Sequence, residues 1–309
     1  EATEAADAMA TPVPEAVDIA ETDGSTATVV GSGIANPALQ SLIDNSGSIV
    51  EYTVTNTGTD AGIDAFCAGE ADIVTTTRPF TVEEDTRCRD AGVLNYELLF
   101  GYHISVVVSN LEDGFLGCLS QSNLATLFAP SAEGSSLTWD DISLPGTTAD
   151  PVTDAAAEAT PEATPDVAVA LPSVSVLLPE DNTVMYATMD SIVPGFGLRS
   201  DVETADTTTI LDTVATTPGA VGIVPLQVAI AAEQPVFILN LDSGNGCTPA
   251  AIETASSGEY PAAQTLYAYV NQDSQDTLAV LLDYMVSLEG ADALNLVGYD
   301  QPTSDIAET

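Results

Sequence analysis

Between Asn56 and Phe80 the chain reads N-T-G-T-D-A-G-I-D-A-F-C-A-G-E-A-D-I-V-T-T-T-R-P-F, and its hydroxyls, glycines and arginine have the order of an oxyanion site. A turn rich in hydroxyls (Thr57 to Thr59) opens a short helix that sets Ile63, Phe66 and Cys67 on one face. Gly69 stops that helix, because glycine enters the left-handed C-cap without strain. A strand over 71–76 follows and ends in hydroxyls beside Arg78. A helix N-terminus and a strand C-terminus thereby meet at one crevice, where backbone N–H groups point at an anion.

Other chemistry is poorly supplied. His103 is the single histidine and falls on a predicted strand, so no Ser-His-Asp constellation can form around it. It reads as a satisfied structural residue. Adjacent acids (Glu83-Glu84, Asp140-Asp141, Glu180-Asp181) are expected by chance in so acidic a chain and do not indicate glycoside hydrolysis. The run Leu241 to Gly246 lacks the alternating acids and closing Glu of a calcium loop and reads as a turn. Trp139 and the Leu/Met stripe near the C-terminus read as core. The expectation is a non-enzymatic protein with no cofactor and no metal.

Charge sets the next bound. Four Arg, no Lys and 47 acids leave a formal charge of −43 over 309 residues. Nucleic acid is excluded as a partner, since its binding needs Lys and Arg against phosphates. Adaptation to high salt, where the Debye length falls to about 3 Å at 1 M, is one reading of the acidity. A cell-surface protein carrying cations and a generally acidic secreted lineage are the others. There is no run of eighteen apolar residues, so no membrane span is expected. No basic region precedes an apolar stretch at the N-terminus, so a mature chain with its secretion signal removed is expected.

Four cysteines (Cys67, Cys88, Cys118 and Cys247) contain no C-x-x-C pair and suit an extracytoplasmic chain better than a metal site. They allow three pairings. Cys67 ends one helix and Cys88 lies in the next, which Thr81 to Glu84 opens as a capping box. We pair Cys67 with Cys88 and Cys118 with Cys247. Closing the first loop stabilises by roughly 3 kcal/mol in the chain-entropy model.

Periodicity and turn residues predict strands over 28–32, 48–55, 71–76, 93–99, 103–109, 183–188, 220–224, 236–241 and 265–270. Helices are predicted over 37–45, 60–68, 82–91, 121–128, 200–215, 226–233, 249–256 and 275–289. Ser274 should cap the last helix and Gly290 end it. Strands alternating with helices argue for an α/β fold with mainly parallel sheets, and the length suits two domains. Residues 1–24 read as an acidic Ala/Pro tether. Residues 146–172, with A-E-A-T-P-E-A-T-P-D, read as a solvated low-complexity insert whose Thr-Pro content would suit O-glycosylation.

The motif at Asn56 to Phe80 resembles that of PstS-like substrate-binding proteins of phosphate ABC importers, in the type 2 periplasmic-binding-protein superfamily. There it runs approximately S-G-T-G-G-G-F-x-x-F-C-x-G-x-x-D-I-x-x-A-S-R-P-I. Gly31 to Pro37 resembles the family's opening loop, and Tyr102 to Asn110 its crossing strand. Cys118 to Ser120, Leu127 to Pro130, Leu137 to Ile142, Pro218 to Ile223 and Gly258 to Asn271 resemble further markers in order. The resemblance spans roughly 28–298, without the insert.

It implies a two-domain Venus-flytrap fold: domain 1 from 25–108 and 234–309, domain 2 from 109–233. It also implies that Thr59, Thr77 and Arg78 match ligand positions, with Ser191 matching the serine of a second-domain T-D-S-G-T loop. Three departures accompany this match. Ile34 stands where a Thr hydroxyl is usual, Ile192-Val193 replace Gly-Thr, and Asp60 replaces glycine after Thr59. The function implied is extracytoplasmic capture of phosphate or a related small oxyanion, with an ABC permease as partner. The rival is a cell-surface or filament-forming structural protein that keeps the fold, self-assembles and has lost the ligand.

Overall fold

The computed structural model describes residues 24–110, 117–142 and 172–302, apart from 182, 196 and 243. The tether lies outside these residues up to Gly24, as does the insert up to Pro172.

Two lobes share one long strand. The first lobe opens with β1 (Thr26–Gly31), α1 (Asn36–Asn45), β2 (Glu51–Asn56), α2 (Thr59–Cys67), β3 (Ile73–Thr76) and α3 (Val82–Asp90). Then β4 (Asn95–Ser109) crosses into the second lobe, which holds β5 (Cys118–Ser120), α4 (Gln121–Phe128), β6 (Ser175–Pro179) and α5 (Val184–Ile192). It continues through β7 (Glu203–Ala205), α6 (Thr207–Thr216), β8 (Ala220–Pro225), α7 (Leu226–Ala231), β9 (Phe237–Asp242), β10 (Cys247–Thr248) and α8 (Ile252–Ser256). The chain returns along β11 (Ala263–Asn271) and ends in α9 (Gln275–Met285) and α10 (Leu288–Asn295).

The strand order is β2-β1-β3-β11-β4-β8-β6-β7, with β9 also on β4 and flanked by β5 and β10. Residues 95–104 of β4 pair with β11, and residues 105–109 pair with β8 and β9. One continuous backbone therefore belongs to both halves, paired on one side by β11 in the first and on both sides by β8 and β9 in the second. The parallel pairs β1–β2, β1–β3, β6–β7 and β6–β8 lie in the α/β halves of each lobe. Such strands are covered on both faces. In the first lobe Leu39, Leu42, Leu278, Leu281 and Leu294 fill one side of the sheet, and Ile63, Phe66, Val74 and Tyr269 the other. In the second, Phe128, Trp139, Ile210, Val214, Ile223 and Leu241 form one cluster. Trp139 also donates its indole N–H to the carbonyl of Gly219 at 3.0 Å.

Both expected disulfides are present, Cys67–Cys88 joining α2 to α3 and Cys118–Cys247 joining β5 to β10. The Thr81/Glu84 capping box also forms, with Glu84 N–H donating to Thr81 Oγ1 at 3.2 Å and Thr81 N–H to Glu84 Oε2 at 2.7 Å.

Four expectations are corrected. Residues 184–188 are helix, not strand, with Thr183 as the N-cap: Thr183 accepts from the N–H of Tyr186, and Met185, Thr188 and Met189 recur at helical spacing to bury one face. The predicted helix over 200–215 is split, because Asp206 caps a later start at Thr207. The helix over 275–289 stops at Met285, and Ser287 caps a second one through the N–H of Gly290. Gly290 thus lies inside α10, where a Cβ would come within 2.1 Å of the carbonyl oxygen of Tyr284, and Ser274 bonds Asp72 instead of capping α9. Finally, the return to the first lobe comes near 262 instead of 234. β9 pairs with the second half of β4, and Leu239, Leu241, Tyr260 and Ala262 pack in the second core.

Asp300, 1% exposed, fastens the C-terminal segment to this crossing. Its backbone pairs with Tyr102 at 2.7 and 2.8 Å, and its Oδ1 accepts from Gln227 of α7. Its Oδ2 has no partner among the described residues. Burial pushes this carboxyl up to about 6. Between about pH 4 and that value the folded chain keeps a proton that the unfolded chain has released, so stability falls as pH rises. Asp300→Asn keeps the acceptor for Gln227 and removes the buried charge. It is expected to gain up to about 2 kcal/mol at pH 7.5 in urea denaturation and nothing below about pH 4. An equal difference at both pH values would contradict this origin.

Candidate functional site

The first wall of the interlobe cleft is made by backbone forced into close quarters. Gly31 has φ 129°, and a Cβ there would lie 2.1 Å from the carbonyl oxygen of Thr75. A Cβ on Gly62 would lie 2.7 Å from Gly31 Cα. Only glycine at both positions lets α2 press its first turn onto the end of β1. Gly58 N–H then donates to the Gly31 carbonyl at 2.9 Å, fixing the helix entry.

Gly58 caps α2 with no side chain to offer, so the N–H groups of Thr59, Asp60 and Ala61 have no intrahelical acceptor. Beside them, the Ser32 to Ala35 loop is held by a polar network. Ser32 N–H reaches Thr75 Oγ1 at 3.1 Å, Thr75 Oγ1 donates to Asn36 Oδ1 at 2.6 Å, and Asn36 Nδ2 donates to Asn56 Oδ1 at 2.6 Å. Ser32, Asn36 and Thr75 are buried, so these bonds position the loop instead of remaining open to solvent.

The second wall is the start of α5. Thr183 donates to the carbonyl of Glu180 at 2.7 Å and accepts from the N–H of Tyr186, so its hydroxyl is committed to the cap. The N–H groups of Val184 and Met185 remain as the open donors of that turn. Ser32, Gly33, Ile34, Asn56 and Gly58 face Asp181, Thr183, Val184 and Ala187 across a cavity of about 440 Å³. Two helix N-termini from different lobes therefore open on one cavity, each carrying about half a positive charge.

Of the residues expected at the site, Thr59 is the first residue of α2 and half-buried. Thr77 follows β3 at the same sheet edge, also half-buried. Arg78 is already occupied. Its guanidinium holds both oxygens of Glu84 at 2.8 Å and Asp60 Oδ1 at 2.8 Å. Glu84 is pulled down to about 2, first by Arg78, and Arg78 is held above the usual arginine range mainly by Glu84. Asp60 is thus tied sideways to Arg78.

Ser191 is not brought to this cavity. It lies in the last turn of α5, where its hydroxyl donates to the carbonyl of Thr188 at 2.6 Å, roughly 10 Å along the helix from the open end. Ile192 and Val193 therefore do not line the facing wall; Asp181, Thr183 and Val184 do. Thr183 ahead of Val184 and Met185 was the available signal, as an N-cap residue before an apolar helical face. Ile34, by contrast, does line the cavity.

No free side-chain cation compensates elsewhere. The remaining arginines pair with Asp64, Asp85 and Asp201 at 2.7–3.0 Å, and the chain has no lysine. Burial drives His103 down to about 3, which leaves it neutral at pH 7. Among the described residues no group of His, Cys, Asp and Glu is arranged to hold a metal ion, and Asp242 serves a turn through the N–H groups of Gly244 and Gly246.

A family model for the PBP superfamily domain matches residues 16–289. The chain belongs to the PBP superfamily. Among curated relatives, the protein SphX of Synechocystis sp. is 30% identical over 115 residues, 36% of this chain and 34% of the relative. SphX of Synechococcus elongatus is 31% identical over 93 residues, 30% of this chain and 27% of the relative. The chain thus matches about a third of their length or less. A possible phosphate binding protein from Planctomyces limnophilus superposes with a TM-score of 0.71 at 20% identity, covering 92% of this chain and 95% of that one. PstS from Borrelia burgdorferi gives 0.59 at 17%, covering 91% and 100%. At those identities the likeness is one of fold.

The Arg78 clamp has a measurable signature. Arg78→Met frees Asp60 and Glu84 and is expected to cost about 1 kcal/mol at pH 7, a figure discounted for the half-exposed guanidinium. Because Glu84 is depressed, that contribution is complete above its unfolded value near pH 4.3 and disappears as pH falls through about 2. Urea denaturation of both proteins across that range checks it, and a cost independent of pH would contradict it.

Proposed function

We propose that this PBP-superfamily chain is an extracytoplasmic solute-binding protein that captures phosphate or a related small oxyanion between its lobes and delivers it to an ABC permease. One observation carries the reading: the uncapped start of α2 and the start of α5 face each other across a cavity of about 440 Å³. The described names of its structural relatives, a possible phosphate binding protein and PstS, support the same ligand class.

On this reading the anion is held by N–H groups of Thr59, Asp60 and Ala61 from one lobe and of Val184 and Met185 from the other. Thr59 adds a hydroxyl, and Thr77 adds another from the end of β3. Arg78 acts at one remove. By fixing Asp60 and Glu84 it keeps carboxylates from competing for the helix N-terminus. Lobe closure about the β4 and β11 crossing excludes water, which strengthens each N–H contact in a lower dielectric. The protein stores and presents the anion without covalent chemistry, so catalysis is not part of the account.

Titration calorimetry with phosphate and then sulfate, at about 0.15 M and 1 M salt, tests the reading against the screening range of surface charge. Saturable phosphate binding is expected at both. Ala187→Glu puts bulk and negative charge at an exposed position of the cavity wall and should weaken binding by more than about tenfold, or about 1.4 kcal/mol. Ser191→Ala should change nothing. No heat from folded protein would instead favour a surface protein that has kept the fold without the ligand.

A further inference from the structure

A second cavity opens from the same cleft. It encloses about 550 Å³ and shares Gly33, Thr183 and Val184 with the first. Its walls are chemically different. Pro37, Met185, Pro225 and Val228 line it, with the rings of His103 and Tyr299 set edge-on at 5.2 Å. Burial keeps the imidazole uncharged at neutral pH. Leu296 and Val297 stand at the rim, 83% and 47% exposed, although both are apolar.

An inorganic tetrahedral anion has no apolar surface to set against such walls. Ligand sites that hold organic molecules combine a mostly apolar enclosure with a few convergent polar groups. The cleft has that division built in: N–H donors at one end and aliphatic and aromatic surface at the other, joined through Gly33 and Val184. Water ordered over Leu296, Val297 and Val228 would be released by an apolar group placed there, which favours binding.

We propose that the cleft takes an oxyanion bearing an apolar organic substituent, an aryl or alkyl phosphate ester or phosphonate. Its anionic head lies at the starts of α2 and α5, and its substituent lies against His103, Tyr299 and Val228. This rests on the oxyanion reading of the first cavity and adds the class of molecule that fills the second.

The test compares inorganic phosphate with phenylphosphonate, which has no ester bond to hydrolyse, by titration calorimetry on the full chain. Phenylphosphonate is expected to bind at least about tenfold tighter than phosphate. Val228→Phe fills the second cavity from within and should cut that ratio to below about threefold. Val297→Phe does so from the exposed rim, and serves if the first variant is unstable. Phosphate binding as tight as phenylphosphonate, or a ratio that survives both fillings, would overturn the inference and leave the oxyanion site standing. If neither ligand binds folded protein, the oxyanion reading fails and this inference fails with it.

Discussion

A chain with four arginines, each paired to its own carboxylates, and no lysine has only uncharged donors, backbone N–H groups and hydroxyls, to set against an anion. That constraint explains the geometry around the cleft. Backbone donors serve only where a helix begins, since all later N–H groups are bonded within the helix. Two helix starts have to be aimed at one point, and each needs its own means of placement. For α2 it is steric: glycines at 31 and 62 let the first turn lie against the end of β1. For α5 it is the cap: Thr183 binds both the preceding carbonyl and the third N–H of the helix. Arg78 then keeps the nearby acids occupied, so the positive end of α2 is not cancelled from the side.

The relation between the two starts depends on β4. Because a single strand is hydrogen-bonded into both lobes, with Ser105 N–H also on the Ala262 carbonyl, the crossing cannot slide in register. Each disulfide lies within one lobe: Cys67–Cys88 ties α2 to α3 and Cys118–Cys247 ties β5 to β10.

Much of the first lobe was legible in the sequence because its signals are local. The Thr81/Glu84 capping box, the Gly69 stop with φ 75° and the Cys67–Cys88 pairing all involve neighbours along the chain or adjacent helices. The second wall was misplaced because Val184 to Met189 carries β-branched and apolar residues at a density that mimics a strand. Only burial of Met185, Thr188 and Met189 on one side shows the helical period. Ser191, expected from the resemblance to a second-domain loop, lies instead in the last turn of this helix. The ion pairs of Arg78 were not legible for another reason. Its partners Asp60 and Glu84 come from two different helices, and their convergence on one guanidinium is a tertiary fact. Likewise, Gly290 reads as a helix stop in sequence, yet it serves the contact with the carbonyl of Tyr284.

In the proposed complex, backbone amides at two helix starts hold the anion. The most direct measurement follows the amide resonances of assigned, isotopically labelled protein as phosphate is added. The account predicts saturating shifts, with one common affinity, at Thr59, Asp60 and Ala61 in one lobe and at Val184 and Met185 in the other. Shifts confined to one lobe, or centred on Ser191, would contradict it.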